Sequence, residues 1–169
     1  MKRKMPPAIH KRKFEDKEKA ELLEQTNWSD DFSWPQIEYM APYFDVYDVP
    51  PGTIILYEGN KQAPYMGLLI EGRARISKID VDGNKKNLAF IAKGKTFGEM
   101  SLIDGLPSSA SVVTENDVTL MVLSKDSYQR LVDENSAVGC QFLTKLARLM
   151  SSRLRETSCK LVDFLEKDL

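Results

Sequence analysis

One stretch of the chain holds residue types that do chemistry at a spacing that can bring them together: Phe97-Gly98-Glu99-Met100-Ser101-Leu102-Ile103-Asp104-Gly105-Leu106-Pro107-Ser108-Ser109-Ala110-Ser111. Gly98 allows a tight turn and a close backbone approach to a ligand. Residues 99 to 104 are suited to one helical turn or more, and Met100 and Ser101 fall in its first turn, where N–H groups have no partner within the helix and anions are favoured. Ser108, Ser109 and Ser111 add small hydroxyls. Glu99, directly after the glycine, is an acceptor suited to a ribose hydroxyl. Together these residues fit a pocket for a sugar phosphate.

The flanking sequence must supply a frame for that segment, and it reads as strands. Val46 to Val49, Thr53 to Tyr57, Tyr65 to Glu71, Arg73 to Ile79, Asn87 to Ile91 and Val118 to Leu123 are short and rich in β-branched or aromatic residues. Pro51-Gly52, Glu58-Gly59-Asn60 and Asp82-Gly83-Asn84 separate them as turns. Asp82-Gly83 reads as a hairpin turn, since that pair accepts positive φ. Strands of this length at near-regular spacing predict a mainly β domain with flanking helices. The expected architecture is a jelly-roll β-barrel or sandwich over residues 44–124, with 97–111 as its one substantial helical insert.

Helices are expected on both sides. Phe14 to Gln25 is rich in helix formers with opposite charges at useful spacings, and Ser33-Trp34-Pro35-Gln36 reads as a cap followed by a first-turn proline. Residues 15–43 therefore form an N-terminal helical segment. Residues 1–14 are basic, contain Pro6-Pro7 and lack an apolar period, so they read as a disordered tail. Residues 125–169 return to helix: a short one from Ser124-Lys125-Asp126-Ser127 to about Asp133, then a longer one capped by Asn135-Ser136 and running toward Lys167. Some 30 residues of helix would extend about 45 Å. Phe142, Leu143, Leu146, Leu149, Met150, Leu154, Leu161, Phe164 and Leu165 give this helix a broad apolar stripe. Part of the stripe is expected to cover the barrel and part to form a homodimer; the alternative places all of it in the core of a monomer.

The central segment resembles the phosphate-binding cassette of cyclic-nucleotide-binding domains, as in bacterial catabolite activator proteins and the regulatory subunits of protein kinase A. Pro51-Gly52-Thr53, Glu58-Gly59, Tyr65, Leu68 to Gly72, Phe97-Gly98-Glu99 and Val118 to Leu123 follow the order and spacing of that family, over about residues 44 to 165. By this resemblance Glu99 holds the ribose 2'-hydroxyl, while backbone amides around Gly98, Met100 and Ala110 face the cyclic phosphate. Most nucleotide-binding members carry an arginine directly after the cassette proline, and this chain has Ser108 there. Hydrogen bonds involving a charged group are worth roughly 1.5 to 3 kcal/mol against about 1 for neutral ones, so the change weakens binding by about tenfold or more. Serine hydroxyls and oriented amides still suffice for a monoanion.

A second local match lies in Arg153-Leu154-Arg155-Glu156-Thr157-Ser158. It resembles the segment of catabolite activator proteins in which a threonine, and a serine from the partner subunit, reach the adenine amino group. The resemblance implies that Thr157 and Ser158 read adenine and that Arg153 pairs with Glu99; the plain alternative is that both hydroxyls are tolerated on a helix at little cost. Leu88 and Phe90 are walls for the base by the same resemblance, although alternating strand residues also simply fill a barrel. A hydroxyl at Ser109 suits a guanine amino group, so the hints on the base conflict. Cyclic AMP is favoured over cyclic GMP.

Composition narrows the other classes. The 169 residues carry a net charge of -1, which gives no global argument for nucleic acid or membrane binding. Lys2, Arg3, Lys4, Lys11, Arg12 and Lys13 crowd the start as a solvated tail. No apolar run is long enough for a bilayer and no secretion signal opens the chain, so a cytoplasmic protein is expected. Cys140 and Cys159 are too far apart along one helical region to be bridged within it and lack zinc-site spacing, so they read as thiols. His10 is the only histidine and lies in the tail, leaving no base for a nucleophilic triad. Glu99 and Asp104 come without a clustered set of metal ligands. Neither an enzyme nor a metal or cofactor is expected.

In transcription factors that share this domain a winged helix-turn-helix follows the long helix, whereas this sequence stops soon after Leu165. The expectation is a stand-alone cyclic-nucleotide sensor without a DNA-binding domain, read by a separate downstream protein. The alternative is a constitutive dimeric scaffold that has lost nucleotide binding, which Ser108 favours. A weaker third reading gives the basic tail nonspecific, salt-sensitive contacts with nucleic acid.

Overall fold

The computed structural model describes residues 9–61 and 64–167. They fall into two compact units, one ending at Arg130 and one beginning at Leu131. In the first unit two sheets are built entirely from antiparallel pairs. One runs in the order β1 (His10–Arg12), β2 (Asp45–Val49), β9 (Val118–Ser124), β4 (Tyr65–Glu71), β7 (Thr96–Phe97). The other runs β3 (Ile54–Leu56), β8 (Ser111–Thr114), β5 (Ala74–Ile79), β6 (Lys85–Ile91). Leu69 and Leu120 from the first sheet pack with Ala74, Ile91 and Val112 from the second, and Val49, Ile55, Phe97 and Val118 complete one core. This is the jelly-roll-like β core that alternating apolar positions in short strands produce when two sheets must bury one face each.

Strand β4 occupies the residues expected of it, and the turn at Asp82-Gly83 joins β5 to β6, with the Gly83 N–H donating to the Asp80 carbonyl at 3.0 Å. Two strands beside the cassette were not expected. β7 has only two residues and exists because Gly67 and Leu68 of β4 pair with it. β8 includes Ser111, one of the hydroxyls expected in the pocket. A further correction concerns the tail: residues 10–12, expected to be disordered, form β1 on the edge of β2, where Lys11 meets Asp45 at 2.8 Å and Arg12 meets Asp48 at 3.4 Å. Acidic residues on an edge strand give a basic segment a reason to pair. Residues 1–8 of that expected tail lie outside the described residues.

Helix α1 (Asp16–Glu24) and helix α2 (Trp34–Met40) precede the strands. The N-terminus of α2 is closed by a capping box in which the Gln36 side chain accepts from the Ser33 N–H at 2.8 Å. Between them lies an unexpected 3-10 turn, Asn27–Asp31, held by buried Trp28 stacked on Phe32 at 5.5 Å. Helix α3 (Glu99–Asp104) is the insert between β7 and β8. Helix α4 (Lys125–Glu134) follows β9.

The second unit consists of the end of α4 and helix α5 (Ser136–Lys167), 32 residues long. The Asn135 side chain caps it by accepting from the Val138 N–H at 3.1 Å. Of the predicted stripe, Phe142 and Leu146 are buried, Leu149 and Met150 are half-buried, and Leu143, Leu154, Leu161, Phe164 and Leu165 are exposed. Among the described residues no helix is long and apolar enough to cross a membrane.

Candidate functional site

The site is organised by a backbone position only glycine tolerates. Gly98 caps α3 with φ 78° and ψ -1°, in the left-handed region, and a Cβ there would lie 2.3 Å from the Tyr65 carbonyl oxygen of β4. The turn is thus pressed against the sheet. The first helical bond of α3 runs from the Leu102 N–H to the Gly98 carbonyl at 3.1 Å, so the amides of the preceding residues lie outside the helical ladder. Glu99 is only 3% exposed, an uncommon burial for a carboxylate, and Ser101 and Ser108 are also buried. Met100 is exposed.

Beneath the turn, Tyr65 holds the strand that Gly98 leans on. Its hydroxyl donates to the Ile55 carbonyl across the two sheets, and its ring meets Phe97 edge-on at 6.1 Å. Burial pushes the phenol from its ordinary value of 10.0 up to about 12. From pH 10 to about 12 the unfolded chain ionises this phenol while the folded chain holds it neutral, so the unfolded state releases the proton first. Stability fully present below pH 10 should then fall by about 2–3 kcal/mol as the pH climbs through that window. Denaturant titrations of wild type and Tyr65→Phe test this: the substitution should flatten the slope, and equal slopes would refute it.

The far end of the cassette is braced by a turn distant in sequence. The Gly59 N–H donates to the Ser108 carbonyl at 2.7 Å, and the Ser108 N–H donates to the Asn60 carbonyl at 3.1 Å. Ser108, which stands where an arginine is expected from the resemblance, is therefore fixed by its main chain. Ser109 is exposed and Ala110 half-buried. The hydroxyl of Ser111 accepts from the Glu58 N–H at 2.9 Å, so it serves the scaffold.

The proposed base walls behave differently from one another. Register pairs Ile76 with Ala89 and Ser77 with Asn87, which leaves Leu88 as the extra residue of a β-bulge, 54% exposed. Phe90 precedes Ile91, which lies in the core, so strand alternation sends Phe90 to the opposite face of β6. There the Arg73 guanidinium covers its ring at 3.9 Å. Phe90 therefore does not fill the barrel; it stands 52% exposed beside Arg73.

Arg153 lies one turn before the adjacent Thr157 and Ser158 on α5, in the second unit. Burial lowers the pKa of the Arg153 guanidinium, opposed by the nearby Glu156 carboxylate. Thr157 donates its hydroxyl to the Arg153 carbonyl at 2.8 Å and Ser158 donates to the Leu154 carbonyl at 2.9 Å. Both side chains are exposed. Sequence reasoning missed the bracing role of Gly59 and Asn60, although the turn itself was visible, because its contact with Ser108 spans about fifty residues.

Comparison with known proteins agrees with this geometry. Residues 47–135 match the family described as cyclic nucleotide-binding domain. The chain is 33% identical over 127 residues to the cyclic AMP receptor protein of Thermus thermophilus, covering 75% of this chain and 56% of that protein. It is 36% identical over 93 residues to the cAMP-dependent protein kinase regulatory subunit of Aspergillus fumigatus, covering 55% of this chain and 22% of the subunit. The crystal structure of a cyclic nucleotide-binding domain from Methylobacillus flagellatus superposes with a TM-score of 0.80 at 28% identity, covering 91% of this chain and 88% of that one. The chain thus spans about half the length of the receptor proteins it matches and less of the kinase subunits. The names of these relatives are those of a receptor protein, a kinase regulatory subunit and a cyclic nucleotide-binding domain. With its cassette, its sheet order and this match in agreement, the chain belongs to the cyclic nucleotide-binding domain family and is a regulatory domain homologous to those of the cyclic AMP receptor proteins and the protein kinase A regulatory subunits.

Proposed function

We propose that this domain is a sensor that binds cyclic AMP in preference to cyclic GMP, works as a homodimer and signals through a separate partner protein. The observation that carries this reading is the seated Gly98 turn, which sets the first-turn amides of α3 beside a buried Glu99. Those amides suit a cyclic phosphate and the carboxylate suits a ribose hydroxyl, so the residues present fit the ligand. Ser101, Ser108, Ser109 and Ala110 would complete the phosphate side, and Leu88 one wall. The preference for adenine rests on Thr157 and Ser158, whose hydroxyls are exposed on α5. Homodimerisation rests on the exposed apolar residues of that helix. Signalling then requires the ligand to bind one arrangement of the domain better than another, since equal affinity shifts no population.

A second reading, a scaffold that keeps the fold without the ligand, is favoured by one feature. Ser108 puts no cation where the family pairs one with the phosphate. Calorimetry with cyclic AMP and cyclic GMP separates the two. Binding to the wild-type protein with the adenine nucleotide tighter is the expected result, and Ser108→Arg should tighten it by about tenfold or more by restoring a charge-assisted contact. Absence of both heat and thermal shift at millimolar nucleotide, in wild type and in Ser108→Arg alike, would leave the scaffold as the surviving account.

A further inference from the structure

Helix α3 is held at both ends by one closed set of contacts. At its start Gly98 is seated on the Tyr65 carbonyl. At its end the Lys125 ammonium donates to the carbonyl oxygens of Leu102 at 2.5 Å and Ile103 at 3.4 Å. Lys125 is the first residue of α4, and its own backbone N–H donates at 3.0 Å to the carbonyl of Pro64, the residue before Tyr65. The Lys125 ammonium also stays 5.7 Å from the ring centroid of Tyr128, one turn along α4.

This arrangement matters because α3 has six residues, too few to persist on its own local bonds. Its last carbonyls carry the negative end of the helix dipole, and its last turn contains no basic residue. The missing cation comes instead from α4, through charge-assisted hydrogen bonds that are stronger than neutral ones. Order in α3 and placement of the first turn of α4 thereby share a single half-buried side chain.

We propose that Lys125 is a positioning residue that makes the order of the cassette helix and the order of the first turn of α4 depend on each other. The inference rests on the reading of α3 as the ligand-binding cassette: an occupied cassette is ordered at its amides, and Lys125 passes that order to α4.

Hydrogen exchange without nucleotide tests the link directly. In Lys125→Met the amides of residues 102–105 should exchange about tenfold faster or more, while β4 and β9 keep their protection and Lys125→Arg stays near wild type. A lysine that merely stabilises α3 would do that much, so the deciding measurement runs in the other direction. Met100→Gly loosens α3 without removing a buried side chain, since Met100 is exposed. It should speed exchange at residues 128–130 of α4 in the wild-type background and leave them unchanged in the Lys125→Met background. If β4 and β9 also lose protection in Lys125→Met, Lys125→Gln replaces it under the same criteria. Unaltered exchange at residues 102–105, or the same response of α4 to Met100→Gly in both backgrounds, overturns the proposal. Because these measurements contain no nucleotide, a failure to bind cyclic AMP would count against the sensor reading alone.

Discussion

Replacing Gly98 by alanine should abolish detectable nucleotide binding, with a loss of about a hundredfold or more, and lower the stability of the domain by about 2–4 kcal/mol. Two costs combine. A side chain at φ 78° is held in the left-handed region, worth about 1–2 kcal/mol for an L-residue. The added Cβ would also stand 2.3 Å from the Tyr65 carbonyl oxygen, a main-chain atom of a central strand that cannot swing aside. α3 must then lift from β4, carrying the first-turn amides and Glu99 away from their places. A displacement of about 1 Å in a preorganised site is enough to cost two orders of magnitude. Calorimetry and chemical denaturation of the variant check both numbers. An alanine variant that bound cyclic AMP within threefold of wild type would show that the seated turn does not hold the ligand.

The second large effect concerns α5. Leu143, Ala147, Met150, Leu154, Leu161 and Phe164 follow one another at intervals of four, three, four, seven and three along the helix. Apart from half-buried Met150 they are exposed, Leu154 at 68%, Leu161 at 57% and Phe164 at 63%. A repeat of this period faces one side of a helix and asks for a partner with the same seam. Wild type should therefore sediment as a dimer at micromolar concentration. Burying a leucine contributes about 1.5–3 kcal/mol, and each chain brings both positions, so Leu154→Glu with Leu161→Glu should weaken association by roughly a thousandfold or more and give monomer. Thermal stability of the β core should be little changed. A wild-type protein that sediments only as monomer at that concentration would remove the dimer.

Much of the fold was legible because its signals are local. Strand β4 was read to the residue, the turn at Asp82-Gly83 was found from turn chemistry, and the caps at Ser33 and Asn135 were read from residue type. Helix α3 was expected over the residues it occupies. In contrast, β7 is two residues long and has no pattern of its own; it is a strand only because β4 lies beside it. β1 looked like part of a charged tail because the charges that pair with it, on Asp45 and Asp48, lie more than thirty residues away. Phe90 and Leu88 looked equivalent two positions apart, yet the bulge at Leu88 and the burial of Ile91 give them different surroundings.

The sequence by itself determined which groups are available for chemistry: a glycine followed by a carboxylate, a short helix, and serines in place of an arginine. It also set the local conformations, since turn chemistry, capping and side-chain period act over a few residues and need no tertiary partner. Only the tertiary structure decided how those groups are employed. Ser111 was assigned to the scaffold, Ser108 was fixed through its main chain by Gly59 and Asn60, and Lys125 was brought to the end of α3. Each of these contacts closes a loop of twenty residues or more, and such contacts form only when burial of the shared core offsets the entropy of closure. That balance belongs to the whole chain and to no local stretch of it.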